Sequence, residues 1–184
     1  MSGLLNLYTS ADLKNWPDNC ELIEGEIVKP MSPSLFHSKI QRYFLQQLDL
    51  LDPKAKLGLM LQEPSVEFNP RNTPRPDLAF WMANNLPQID LEFEITKTIP
   101  DLVVEVLSPR DLEGVKHYQE TMGKIRLYQA GGVKIIWIIN PMQKQCEVYV
   151  PGQLSSLATL GIDEELEGLE VLPGFRVPVK DLFK

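Results

Sequence analysis

The chain has 184 residues, of which 43% are hydrophobic, 23% charged and 8% aromatic, and its formal net charge is -7. That composition is that of an ordinary globular protein, and it excludes a disordered tail, a collagen-like repeat and a disulfide scaffold. The acidic balance also weighs against the simplest nucleic-acid binder, in which Lys and Arg outnumber the acids to neutralise phosphates.

The length predicts one domain over residues 1–184. The N-terminus has no basic run and no apolar stretch resembling a signal peptide, and Val133 to Ile139, interrupted by Lys134, is far short of the ~20 residues that cross a bilayer. Cys20 and Cys146 stand far apart, with no spacing that suggests zinc or a redox pair. A cytoplasmic protein without a membrane segment is expected.

Cys20 to Val28 reads as two short strands about a Glu24-Gly25 turn, with Ile23 and Ile27 facing inward. Ser34 caps a helix in which Phe36, Ile40, Tyr43, Phe44, Leu48 and Leu51 recur at helical spacing until Pro53. Leu59 to Phe68 is a strand pair or a strand bent at Pro64, and Asp77 to Trp81 is the next strand. Asn84 to Thr98 is polar and weakly periodic, a loop or a short edge strand. Asp101 to Ser108 is nearly continuous in apolar residues, the pattern of a central strand covered on both faces. A second helix, Asp111 to Ala130, ends at Gly131-Gly132, and Val133 to Asn140 forms another central strand with Gln145 to Val150 as its hairpin partner. The tail adds a short strand and a docking segment. The element order predicts an α/β (α+β) fold, a mixed central sheet flanked by helices.

The residue that breaks this pattern is Glu105, in the middle of a strand otherwise made of Leu and Val. A buried carboxylate needs a cation, a basic partner or a proton, because its desolvation costs several kcal/mol. Asp101 shares its strand but lies roughly 13 Å away, too far to share one ion. Asp77, opening the strand after Pro76, can stand about 4.8 Å away if the two strands are neighbours. Two converging carboxylates suit a hard divalent cation such as Mg²⁺. On the second helix, Val115, Tyr118, Met122 and Ile125 form an inward stripe, and His117, Thr121, Lys124 and Tyr128 form the stripe beside it. Lys124 therefore borders the buried face, with its ammonium within reach of the sheet end. Glu21 and His37 are auxiliary candidates, as a third ligand or as groups that orient the ligands. Each residue also has a plain structural role open to it: an ion pair for Glu105, a turn for Asp77, a solvated helix border for Lys124.

The succession ELIEGEIVKPMSPSLFHSKI, RPDLAFW, PDLVVEVLSPRD, KIRLYQAGGVKIIWIINP and LPGF resembles the Uma-type "putative restriction endonuclease" family, abundant in cyanobacteria. The resemblance runs from about Cys20 to the C-terminus and implies a restriction endonuclease-like, PD-(D/E)xK fold. It places the PD element on Pro76-Asp77 and the second acid on Glu105, and Glu21 and His37 match the family's early Glu and His. Leu107 stands where the (D/E)xK lysine falls, and Lys124 matches the lysine relocated to the following helix. The implied activity is Mg²⁺- or Mn²⁺-dependent endonuclease cleavage of DNA. Asp77, Glu105 and the Val106 carbonyl hold the ion, Lys124 orients or deprotonates the attacking water, and a homodimer fits the resemblance.

The alternative is a nuclease fold that has lost its chemistry and serves binding or assembly, favoured by Leu107 and the acidic total. Glycoside hydrolysis by paired carboxylates lacks a recognisable aromatic sugar platform. The acidity is uneven: residues 76–110 are the most negative stretch, whereas 33–75 and 111–150 are net positive. Lys39, Arg42, Arg75, Lys116, Lys124 and Arg126 are thus expected to form a basic rim for phosphates around an acidic metal site.

Overall fold

The computed structural model describes residues 7–17, 19–29, 34–90, 95–109 and 115–184. In chain order the elements are β1 (Glu21–Ile23), β2 (Glu26–Val28), α1 (Leu35–Leu51), β3 (Gly58–Gln62), β4 (Ser65–Val66), β5 (Leu78–Met82), β6 (Ile89–Asp90), β7 (Ile95–Thr96), β8 (Leu102–Val106) and α2 (Val115–Gly131). They continue with β9 (Ile135–Asn140), β10 (Gln145–Tyr149), β11 (Ala158–Leu160), β12 (Glu165–Glu167) and β13 (Arg176–Pro178). The expected start of α2 at 111–114 lies outside the described residues, as do the side chains of Val115, Lys116, His117 and Tyr118.

Six strands form the central sheet in the order β11-β10-β9-β8-β5-β3. Only β8 and β9 within it run parallel. A parallel pair needs a long crossover, and α2 supplies it. Alternation along β8 then divides its side chains between two layers. Leu102, Val104 and Val106 join α1 (Ile40, Phe44, Leu48) and the C-terminal segment (Phe175, Val177) in the larger core. Val103 faces Ile125 and Tyr128 of α2, together with Ile136 and Ile138 of β9. The sequence expectation of a central strand covered on both faces is met by two cores of different size.

Local choices agree with this plan. Ser34 caps α1, its side chain accepting from the His37 amide. The end of α2 is set by a close approach: a Cβ on Gly131 would lie 2.2 Å from the Phe68 ring, and Gly132 follows with φ +95°. One expectation is corrected in the β1–β2 hairpin, where Leu22, not Ile23 or Ile27, is fully buried. Leu22 exchanges two backbone hydrogen bonds with Thr73 and so turns into the fold, whereas Ile23 and Ile27 are half-buried and line a cleft.

The larger core centres on an aromatic stack. Phe44 lies 5.6 Å from Trp137 and 6.2 Å from Phe175, with interplanar angles of 24° and 14°. Phe44 is fully buried, so truncation leaves a cavity its rigid neighbours cannot fill. Phe44→Ala is expected to cost about 3–5 kcal/mol in urea denaturation, whereas the same change at the exposed Leu35 should cost a small fraction of that.

Candidate functional site

The β5–β8 register brings the two predicted acids together. Leu78 pairs with Val104, so one step further in the antiparallel ladder Asp77 stands opposite Glu105. Side-chain parity also puts Asp77 with Ala79 and Trp81, on the face that carries Val103 and Glu105. The two carboxylates meet at one end of the sheet, in a cleft of about 1240 Å³ lined by Glu21, Ile23, His37, Asp77, Glu105 and Arg126, among others.

Each acid is held from several sides. The Val106 amide donates to Asp77 Oδ2 at 2.6 Å, and Gln41 Nε2 donates to Asp77 Oδ1 at 3.2 Å. Tyr128 donates its hydroxyl to Glu105 Oε1 at 2.5 Å. Lys124 Nζ lies 3.6 Å from that same oxygen and 2.8 Å from Glu21 Oε1. Glu21 Oε1 also accepts from the Arg75 amide at 2.7 Å, which ties the β1–β2 hairpin into the site. The predicted border position of Lys124 on α2 thus places its ammonium between two carboxylates.

His37 contributes from α1. Its Nε2 is 2.5 Å from the Val106 carbonyl oxygen. A carbonyl can only accept, so Nε2 carries the hydrogen, and in the neutral ring Nδ1 accepts from Ser34 Oγ at 3.2 Å. The helix cap and the histidine tautomer are therefore linked. The Val106 carbonyl that the resemblance assigns to a metal already accepts one hydrogen bond and retains a second lone pair.

The electrostatics follow from burial. Glu105 is pushed up to about 7 by desolvation, opposed by Lys124 and reinforced by Asp77 and Glu21. Asp77 is pushed up to about 6, again chiefly by burial, against the Val106 amide and Lys124. Burial alone would lower Lys124, but Glu105 and Glu21 reverse this and hold it above the ordinary lysine value. Tyr128 is held well above the ordinary phenol value by burial and by Glu105, so it stays a donor. One lysine, shared with Glu21, and three neutral donors leave Asp77 and Glu105 under-compensated in charge. A hard cation fits this all-oxygen donor set. Among the described residues no group of three or more His, Cys, Asp or Glu could hold a metal on its own. Two carboxylates and a carbonyl leave coordination positions for water and phosphate, the way Mg²⁺ is commonly bound.

Other expectations divide. Asp101 lies apart from the site and is structural: it pairs with Lys134 at 2.8 Å and accepts from Asn85 and the Met82 amide, both at 2.9 Å. The basic rim is only partly assembled. Arg75 and Arg126 line the cleft, with Arg75 3.9 Å from Glu63, whereas Lys39 and Arg42 line a separate cavity of about 430 Å³ beside Asp181 and Lys184. Gln41 and Tyr128 were not singled out from sequence. A glutamine on the buried stripe Gln41, Phe44, Leu48 was the available signal for the first, and the position four residues after Lys124 for the second.

The raised acids make the metal-free fold acid-favouring. Their native state holds protons more tightly than the unfolded chain, so this stabilisation is complete below the ordinary values of 3.8 and 4.5 and is lost as pH rises through about 6 to 7. Urea denaturation in chelator should show stability falling over that window, and Glu105→Gln, which mimics the protonated acid, should flatten the dependence.

Residues 8–180 match the profile of the Uma2 family, described as "Putative restriction endonuclease". A crystal structure from Anabaena variabilis ATCC 29413, described as a putative nuclease, superposes with a TM-score of 0.76 over 95% of this chain and 97% of its own at 21% identity. That likeness establishes a shared fold. No curated protein matches the chain.

Proposed function

We propose, from the premise that the chain belongs to the Uma2 family, that it is a divalent-metal-dependent endonuclease hydrolysing DNA phosphodiester bonds. The observation that carries this reading is the meeting of Asp77, Glu105 and Lys124 at one end of the sheet, with Lys124 Nζ 3.6 Å from Glu105 Oε1. The description of the family and that of the Anabaena protein as a nuclease support it.

Asp77, Glu105 and the Val106 carbonyl would hold Mg²⁺ or Mn²⁺. When bound, the ion supplies Lewis acidity toward a phosphate oxygen and lowers the pKa of water. Asp77 is kept in place by Gln41 and the Val106 amide, and Glu105 turns one oxygen toward α2. Lys124 is a cation between carboxylates, which suits it to orienting water and opposing charge on the phosphate oxygens rather than to removing a proton. Glu21 positions Lys124, and His37 steadies the Val106 carbonyl.

The alternative of an inactive nuclease fold draws on Leu107, where the motif lysine is missing. Against it stands Lys124, whose ammonium reaches Glu105 Oε1 at 3.6 Å from α2, the helix of the core cluster that Leu107 packs against.

Plasmid cleavage with Mg²⁺ or Mn²⁺ tests the proposal. Asp77→Ala and Glu105→Ala should reduce cutting to background, and Lys124→Ala should slow it by ~10²–10³-fold. Cleavage that persists in both acid variants, or a wild-type protein that neither cuts nor binds a divalent ion, would refute the assignment.

A further inference from the structure

We infer that Tyr128 is a positioning residue that fixes which oxygen of Glu105 faces the cleft. The inference rests on the divalent-ion reading of the Asp77–Glu105 site and extends it to a residue that touches neither ion nor substrate.

The geometry is asymmetric. Both oxygens of Asp77 are engaged, Oδ1 by Gln41 and Oδ2 by the Val106 amide. On Glu105 the hydroxyl of Tyr128 and the ammonium of Lys124 both meet Oε1. Oε2 has no hydrogen-bond or ion-pair partner among the described residues, and it is not among the buried atoms lacking a partner, so it is open to the cleft. A glutamate side chain has three rotatable bonds, and a single ionic contact at 3.6 Å, to an ammonium held more closely by Glu21 at 2.8 Å, does not select one orientation. The tyrosine does. Its ring is fully buried and packs 5.4 Å from Phe68, so its hydroxyl is a fixed donor on a rigid body. Its spacing from Lys124, one helical turn, lets α2 present a rigid hydroxyl donor and a cation to the same oxygen. Groups that orient a ligating carboxylate in this way typically control metal affinity by 10–100-fold.

Tyr128→Phe keeps the ring and its packing and removes only the hydroxyl. Two measurements on the full chain separate positioning from simple support of the fold: Mn²⁺ affinity by titration calorimetry, and melting of the metal-free protein. Tyr128→Phe should bind Mn²⁺ about 10–100-fold more weakly while melting cooperatively close to wild type. Tyr149→Phe is the control, because it removes an equally short tyrosine–glutamate bond, 2.5 Å to Glu147, on β10, two strands from Glu105 and outside the lining of the cleft. It should leave Mn²⁺ affinity unchanged. Wild-type Mn²⁺ affinity retained in Tyr128→Phe would overturn the inference and leave the metal reading standing. Equal weakening in both tyrosine variants would overturn it in favour of a general structural effect. A wild-type chain with no saturable Mn²⁺ site would overturn the metal reading itself, and this inference with it.

Discussion

Everything in the site depends on one unfavourable placement, a carboxylate at the fourth residue of a five-residue central strand. Glu105 has Val104 and Val106 as chain neighbours and Ile138 of β9 as its register partner. Desolvation of an ionised group there costs several kcal/mol, and the surroundings are arranged around that cost. Tyr128 and Lys124 reach it from α2, and Lys124 in turn requires Glu21 from the β1–β2 hairpin. A hairpin, a helix and the central strand, distant in sequence, are thus joined by a chain of contacts that begins at one oxygen atom. The residual deficit of positive charge is the property that makes the cluster a candidate for a cation rather than a finished ion pair.

The backbone contributes as much as the side chains. Antiparallel pairing of β5 with β8 puts Asp77 opposite Glu105, and the same pairing aims the Val106 amide at Asp77. Val106 therefore serves three neighbours at once: its side chain fills the larger core, its amide fixes Asp77, and its carbonyl receives His37. A one-residue slip of β8 would turn Val104 and Val106 out of the larger core and carry Glu105 into it, so the hydrophobic pattern and the site enforce the same register. The parallel β8–β9 pair adds a further constraint. It demands the α2 crossover, and the crossover brings Lys124 and Tyr128 over the sheet end.

Much of this was legible in the sequence where one physical signal dominated. Continuous apolar runs marked β8 and β9, period and capping marked α1, and a lone glutamate in an apolar strand marked the site. The hairpin was found but turned the wrong way, because the backbone exchange of Leu22 with Thr73, fifty-one residues on, outweighs the local alternation. Tyr128 was visible as part of the Lys124 stripe, but a tyrosine at helical spacing reads as packing, and its hydroxyl gains meaning only when β8 passes beneath it. Gln41 is similar. Its amide is spent on Asp77 and on Gln62, contacts that no spacing along α1 encodes.

The charge distribution changes most between sequence and structure. Net-positive stretches suggested a basic rim, yet proximity in sequence did not become proximity in space. Lys39 and Arg42 face a separate cavity, and Lys124 is committed to two carboxylates. Glu24, Glu26, Glu63 and Glu120 also line the cleft, against Lys29, Arg75 and Arg126. A polyanion approaching these walls would meet little net attraction from the described lining residues alone. Under the nuclease reading, charge that most nucleic-acid-binding clefts draw from Lys and Arg would here come substantially from a bound cation. An ion held by Asp77 and Glu105 would then couple metal binding to substrate binding by electrostatics, because it would offset the carboxylate charge that repels phosphate. On that reading the acidic composition would set the order of events, with the cation bound before the phosphate settles.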